Sequence, residues 1–225
     1  MPDDFISLHE ADPSIIIDLR YRGQDNFLGR PVASYSNSNK TVLTKEAAEA
    51  LSKAQKIFNK DGYSIVLYDA YRAQDAVDDF VNWAEAKKDQ AMKKLFYPRL
   101  DKEKVFELGY IAKKSSHSRG STVDISIIPL QAKLHSIKPS PRKLKDGFEI
   151  QFLDDGTLDM GSSFDLFDQA SHYENDLITD EQKSRRAYLR KIMEQCGFMP
   201  YAEEWWHFTL ANEPYPDQYF NFHLE

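Results

Sequence analysis

Two short polar clusters carry the chemistry this chain could perform. The first is Ser115-Ser116-His117-Ser118-Arg119-Gly120-Ser121-Thr122-Val123-Asp124. An imidazole and a carboxylate so placed suit a borderline divalent metal such as zinc. On one continuous strand, residues seven apart would point to opposite faces. Both can reach one ion only if His117 sits on a loop that bends before the strand, and Gly120 permits that bend. The alternative is a polar turn followed by a strand-edge aspartate, and this spacing alone does not choose between them. The second cluster is Glu203-Glu204-Trp205-Trp206-His207. A regular strand would again separate Glu204 from His207, whereas a turn or bulge would bring them together. His207 could then ligate metal while Glu204 stays free as a base. The alternative, favoured for this cluster by itself, is a core aromatic strand flanked by surface acids.

Together the clusters offer two histidines and one aspartate, with a spare glutamate. Three protein ligands and one open position make the catalytic pattern for zinc, not the structural one. No cysteine-rich set competes, because Cys196 is the only cysteine. Of the other histidines, His9, His135 and His223 sit in polar or terminal contexts and read as solvated.

Several elements must position these residues. Ile15 to Ile17 reads as a strand, and Asn26 to Asn39 as a loop rich in turn residues. Thr44 is a plausible N-cap for a helix to about Asn59, with Ala47, Leu51, Ala54 and Phe58 on one face and Gly62 ending it. Tyr63 to Leu67 reads as a buried strand. It leads into Asp69-Ala70-Tyr71-Arg72 and then a helix with Val77, Phe80, Val81 and Ala84 at helical spacing. A short helix is predicted near Asp101 to Leu108, and strands at Thr122 to Ile128 and Trp205 to Leu210. Residues 130 to 160, with Pro139, Pro141 and Asp154-Asp155-Gly156, suggest an insertion or long hairpin. Asp180 is predicted to cap a helix to Cys196, with Tyr188, Ile192 and Cys196 along one face. The predicted class is α+β, a small and mainly antiparallel sheet with helices packed around it.

Composition narrows the function classes. A length of 225 residues favours one domain and suffices for a sizeable core. The 29 basic against 36 acidic residues give a net charge of −7, which excludes a global basic field for nucleic acid or anionic lipid. No apolar run approaches the ~20 residues needed to span a bilayer. The first residues, Met1-Pro2-Asp3-Asp4-Phe5, lack the regions of a secretion signal, so the expected compartment is the cytoplasm. The periplasm is the alternative if a leader has been removed.

The two clusters resemble those of the D-alanyl-D-alanine dipeptidases, zinc enzymes typified by the vancomycin-resistance dipeptidases. The likeness extends to Asp25-Asn26-Phe27, Asp69-Ala70-Tyr71-Arg72, Met160-Gly161-Ser162-Ser163-Phe164-Asp165 and Glu213-Pro214-Tyr215-Pro216, in the family's order. It implies one catalytic zinc ion, at one end of the sheet, held by His117, Asp124 and His207. Glu204 matches the general base, and Arg72 the arginine that polarises the scissile carbonyl. Tyr21, Ser115 and Asp165 match positions around a bound dipeptide. The implied activity is hydrolysis of D-Ala-D-Ala, in cell-wall metabolism or antibiotic resistance. The chief departure is the segment from about residue 131 to 158, which exceeds the family's compact form. A D,D-carboxypeptidase of the same architecture is the nearest rival, and a non-catalytic zinc-fold binding module is the rival from another class.

Overall fold

The computed structural model describes residues 1–35 and 40–224. The end of the predicted Asn26 to Asn39 loop lies outside the described residues. In chain order the strands are β1 (Phe5–Ser7), β2 (Ile16–Ile17), β3 (Val42–Thr44), β4 (Tyr63–Asp69), β5 (Thr122–Pro129), β6 (Lys138–Lys143), β7 (Glu149–Asp154), β8 (Phe198–Tyr201) and β9 (Glu204–Leu210). The helices are α1 (Leu8–Ala11), α2 (Lys45–Lys60), α3 (Gln74–Glu85), α4 (Lys93–Phe96) and α5 (Asp180–Gln195). The class is α+β, as the sequence predicts.

The main sheet has the order β2-β4-β5-β9-β8. Only the β2–β4 pair is parallel, and the other three are antiparallel. β4 and β5 lie near its centre and are buried along nearly their whole length, which their runs of Ile, Val and Leu allow. α2 lies against β3 and β4, α5 against β8 and β9, and the two helices touch each other. A second ribbon pairs β1 with β3, and a third pairs β6 with β7. The last is the hairpin within the segment read as a long insertion. No described helix is long and apolar enough to cross a membrane.

Helix α2 follows its sequence closely. The Thr44 side chain caps it, Ala47, Leu51, Ala54 and Phe58 are fully buried, and Gly62 follows its end at φ +87°. Three readings need correction. The cap of α5 is Thr179, not Asp180: the Thr179 hydroxyl accepts from the Gln182 amide, and the Gln182 side chain accepts from Thr179 N–H. This reciprocal pair satisfies two amide donors at once. The buried face of α5 is Arg186, Leu189, Ile192 and Met193, with Tyr188 and Cys196 only half-buried at its margin. The predicted helix over Asp101 to Leu108 is a single 3₁₀ turn at Lys102–Lys104 followed by turns. So short a segment cannot recover the cost of helix nucleation.

Arg186 does unusual work for a core position. It is 1% exposed, and its guanidinium donates to the carbonyls of Met160, Ala170 and His172 at 2.6, 2.7 and 2.8 Å and to Ser162 Oγ at 3.1 Å. Arginine's rigid fork can serve four acceptors, which no other side chain could match here. Arg186→Met would leave these buried acceptors unpaired and is expected to cost at least ~3 kcal/mol of stability. Urea unfolding checks this, and a shift in midpoint worth under ~1 kcal/mol would mean the carbonyls find other donors.

Candidate active site

The predicted ligands converge at the end of the sheet where β4 finishes. Asp124 stands on β5 directly opposite His207 on β9. His117 arrives from a 3₁₀ turn, Ser116–Arg119, and Gly120 at φ +84° swings the chain from that turn into β5. A side chain at Gly120 would collide with Phe5, so the bend needs glycine twice over. Glu204 and His207 share β9, but the β8–β9 register breaks between Pro200 and Tyr201. This irregularity accompanies the approach of Glu204 Oε2 to 3.6 Å from His207 Nδ1.

His117 Nε2 and His207 Nδ1 lie 3.2 and 3.1 Å from Asp124 Oδ1 and 3.3 Å from each other. Ligands about 2.0–2.1 Å from a tetrahedral ion sit roughly 3.3 Å apart, so the triangle has a size that suits a small divalent cation such as zinc. Asp124 Oδ1 is buried and accepts no hydrogen bond, as a carboxylate oxygen reserved for a cation would. The outer ring nitrogens are engaged elsewhere. His117 Nδ1 donates to Ala70 O at 2.7 Å, and His207 Nε2 lies 3.2 Å from Ser116 Oγ. The bond to Ala70 O fixes the His117 tautomer and turns its free lone pair inward, and the Ser116 hydroxyl holds the His207 ring in place. Burial pushes His207 down, which favours the neutral form that ligates. Burial would raise Asp124, but the two imidazoles outweigh it and hold that carboxyl below the ordinary range. Among the described residues, this is the one group of three or more His, Cys, Asp or Glu side chains able to share an ion.

A cleft of about 400 Å³ opens over the triangle. Its lining includes every residue singled out from the sequence: Tyr21, Arg72, Ser115, His117, Asp124, Asp165, Glu204 and His207. Arg72 is held by Asp69, with Nε and a terminal nitrogen 2.9 and 2.8 Å from Asp69 Oδ2. Its guanidinium also lies over the rings of Tyr21 and Phe80. Asp165 is 4% exposed, and Tyr21 donates its hydroxyl to Asp165 Oδ2 at 2.8 Å. Its φ of +60° is rare for a residue with a side chain and costs ~1–2 kcal/mol. Burial first, and then the charge of Asp124, push both Asp165 and Glu204 well above the usual carboxyl range. Ser115 caps the His117 turn, its Oγ accepting from His117 N–H at 3.3 Å.

Asp69, Tyr35 and Ser116 also serve the site, although no role for them was legible in the sequence. Asp69 is fully buried, takes the Tyr35 hydroxyl at 2.8 Å and aligns Arg72. It stands in the Asp69-Ala70-Tyr71-Arg72 motif, and a carboxylate three residues before an arginine was the available signal. Ser116 was visible in its serine-rich cluster. Tyr35 carried no signal, since it reaches Asp69 from a distant 3₁₀ turn, Ala33–Tyr35.

Comparison with known proteins identifies the family. The family model for M15 peptidases, described as D-Ala-D-Ala dipeptidase, matches residues 1–134 and 149–225 and leaves out the β6 side of the hairpin. A D-alanyl-D-alanine dipeptidase of Enterococcus faecalis is 39% identical over 223 residues, 99% of this chain and 98% of the relative. Those of Enterococcus faecium and Streptomyces coelicolor are each 37% identical, covering 97% and 99% of this chain and 96% and 98% of their own lengths. With identity of this order along nearly the whole chain, and the site residues gathered in one cleft, this protein is a peptidase and belongs to the M15 family of D-Ala-D-Ala dipeptidases.

Proposed function

We propose that the protein is a zinc-dependent dipeptidase that hydrolyses free D-Ala-D-Ala to two D-alanines. The observation that carries this reading is the inward-facing triangle of His117, Asp124 and His207, with the Glu204 carboxylate beside it and outside it. When bound, zinc supplies Lewis acidity and makes water acidic near neutral pH. Glu204 takes the proton of the attacking water on its carboxylate. As the peptide C–N bond breaks, Glu204 returns that proton to the leaving nitrogen. Arg72, oriented by Asp69, donates towards the carbonyl oxygen as negative charge develops there. Asp165, with the Tyr21 hydroxyl beside it, receives the dipeptide's ammonium, and Ser115 also lines the cleft. A buried carboxyl without a cation is costly, and an ammonium supplies the missing charge.

The direct test is release of D-alanine from the dipeptide with and without a chelator, together with elemental analysis. One zinc per chain, loss of activity on chelation and recovery with added zinc are expected. His117→Ala should lose both metal and turnover, and full retention of both would remove the triangle from the function.

Glu204→Ala is expected to keep its metal and lose about 10²–10⁴-fold in kcat, the usual range for a proton-transfer group. Loss of metal along with activity would instead make Glu204 a ligand, and near-normal turnover would take it out of the reaction.

Recognition of the ammonium predicts a preference for free D-Ala-D-Ala over its N-acetylated form of at least ~10²-fold in kcat/KM. Asp165→Asn should erode this preference mainly by slowing the free dipeptide. Equal cleavage of the blocked peptide by the parent enzyme would instead favour a D,D-carboxypeptidase.

A further inference from the structure

The loop that carries Asp165 is gripped from behind by the β6–β7 hairpin. On β6, Arg142 bonds both carboxylate oxygens of Asp159 at 2.6 and 2.9 Å. On β7, Leu153 N–H donates to Ser163 Oγ at 2.7 Å. Leu144 and Ile150, either side of the hairpin turn, share a small apolar cluster with Leu166, Ala170 and Ile178. Arg99 joins the turn to the loop: it bonds Asp168 at 2.7 and 2.5 Å, pairs with Asp146 and lies over the ring of Phe148. Contacts to the hairpin therefore fall at residues 159, 163 and 166 and, through Arg99, at 168. Asp165 sits among them in a left-handed conformation that only an over-determined surrounding sustains.

No hairpin residue is among those lining the cleft, so the hairpin does not touch a dipeptide there itself. We infer that the β6–β7 hairpin is a positioning brace that fixes the Asp165 carboxylate and so sets how strictly the enzyme demands a free amino terminus. The inference rests on the reading of Asp165 as the ammonium's partner. It assigns Arg142, Leu144 and Ile150 to substrate selection although they lie outside the cleft. A misplacement of about 1 Å is enough to change catalytic efficiency by up to ~10²-fold.

The test compares kcat/KM for free and N-acetylated D-Ala-D-Ala in the parent, Arg142→Gln, Leu144→Ala and Ile150→Ala. The blocked peptide is followed at enzyme concentrations high enough to give a rate. Each variant is expected to lower the ratio about tenfold, by slowing the free dipeptide while the blocked one changes by less than about twofold. Arg142→Lys, which keeps a cation opposite Asp159, should recover most of the ratio. A proportional fall for both substrates reports only a loss of folded enzyme, and with the ratio intact it overturns the positioning role. So would unchanged rates. Arg142 is partly exposed, so Arg142→Gln supplies the comparison if a core variant fails to fold. Asp165→Asn in the same assay separates the two readings. If it lowers the ratio and the hairpin variants do not, the brace alone is refuted. If Asp165→Asn leaves the ratio unchanged, the ammonium reading falls and the brace falls with it.

Discussion

Three electron-rich atoms are held facing one point in a buried setting, and much of the structure follows from that. His117 Nε2, His207 Nδ1 and Asp124 Oδ1 are separated by 3.1 to 3.3 Å. Repulsion between such atoms favours rotating an imidazole outwards. The outer hydrogen bonds resist this, since each imidazole has its second nitrogen engaged by Ala70 O or Ser116 Oγ. Both anchors belong to segments fixed by the sheet: Ala70 directly follows β4, and Ser116 begins the turn that feeds β5. The antiparallel register that sets Asp124 opposite His207 does the rest.

Charge around this triangle is deliberately unbalanced. Asp69, Asp124, Asp165 and Glu204 are all buried, and Arg72 is the guanidinium set among them. Four carboxylates against one guanidinium leave an excess of three negative charges when all are ionised. Asp165 and Glu204 are the two pushed well up by burial and by the charge of Asp124. A divalent cation and a substrate ammonium together carry the three positive charges that would balance the cleft. The apolar walls sharpen these interactions by lowering the local dielectric: Tyr21, Phe27, Phe80 and Phe167 line the cleft and touch through their rings.

Rigidity behind the site is divided between two supports. Arg186 on α5 gathers the carbonyls at both ends of the Asp165 loop, while the β6–β7 hairpin grips its middle. β6 is largely exposed and carries two prolines, whereas β7 buries Ile150 and Leu153 and exposes only Glu149. Prolines suit an edge strand, because they leave no unpaired donors to recruit another chain.

The sequence by itself determined the residue types and the local elements. The two clusters supplied the candidate metal-ligating set, the Thr44 cap and the Ala47, Leu51, Ala54 and Phe58 face specified α2, and turn residues marked the long hairpin. Such features depend on neighbours within a few positions, which is why they can be read along the chain. Spacing alone left His117 and Asp124 compatible with an ordinary turn and strand, and Glu204 with a surface acid. Only tertiary structure decided those cases, because the choice lies in a bend at Gly120 and a register break opposite Glu204, both set by pairing with distant strands. The same holds for Asp69 and Tyr35, which meet across 34 residues of sequence, and for Tyr21 and Asp165, which meet across 144. Contacts at such separations leave no periodic trace in one sequence, and long-range packing is what brings them within hydrogen-bonding distance.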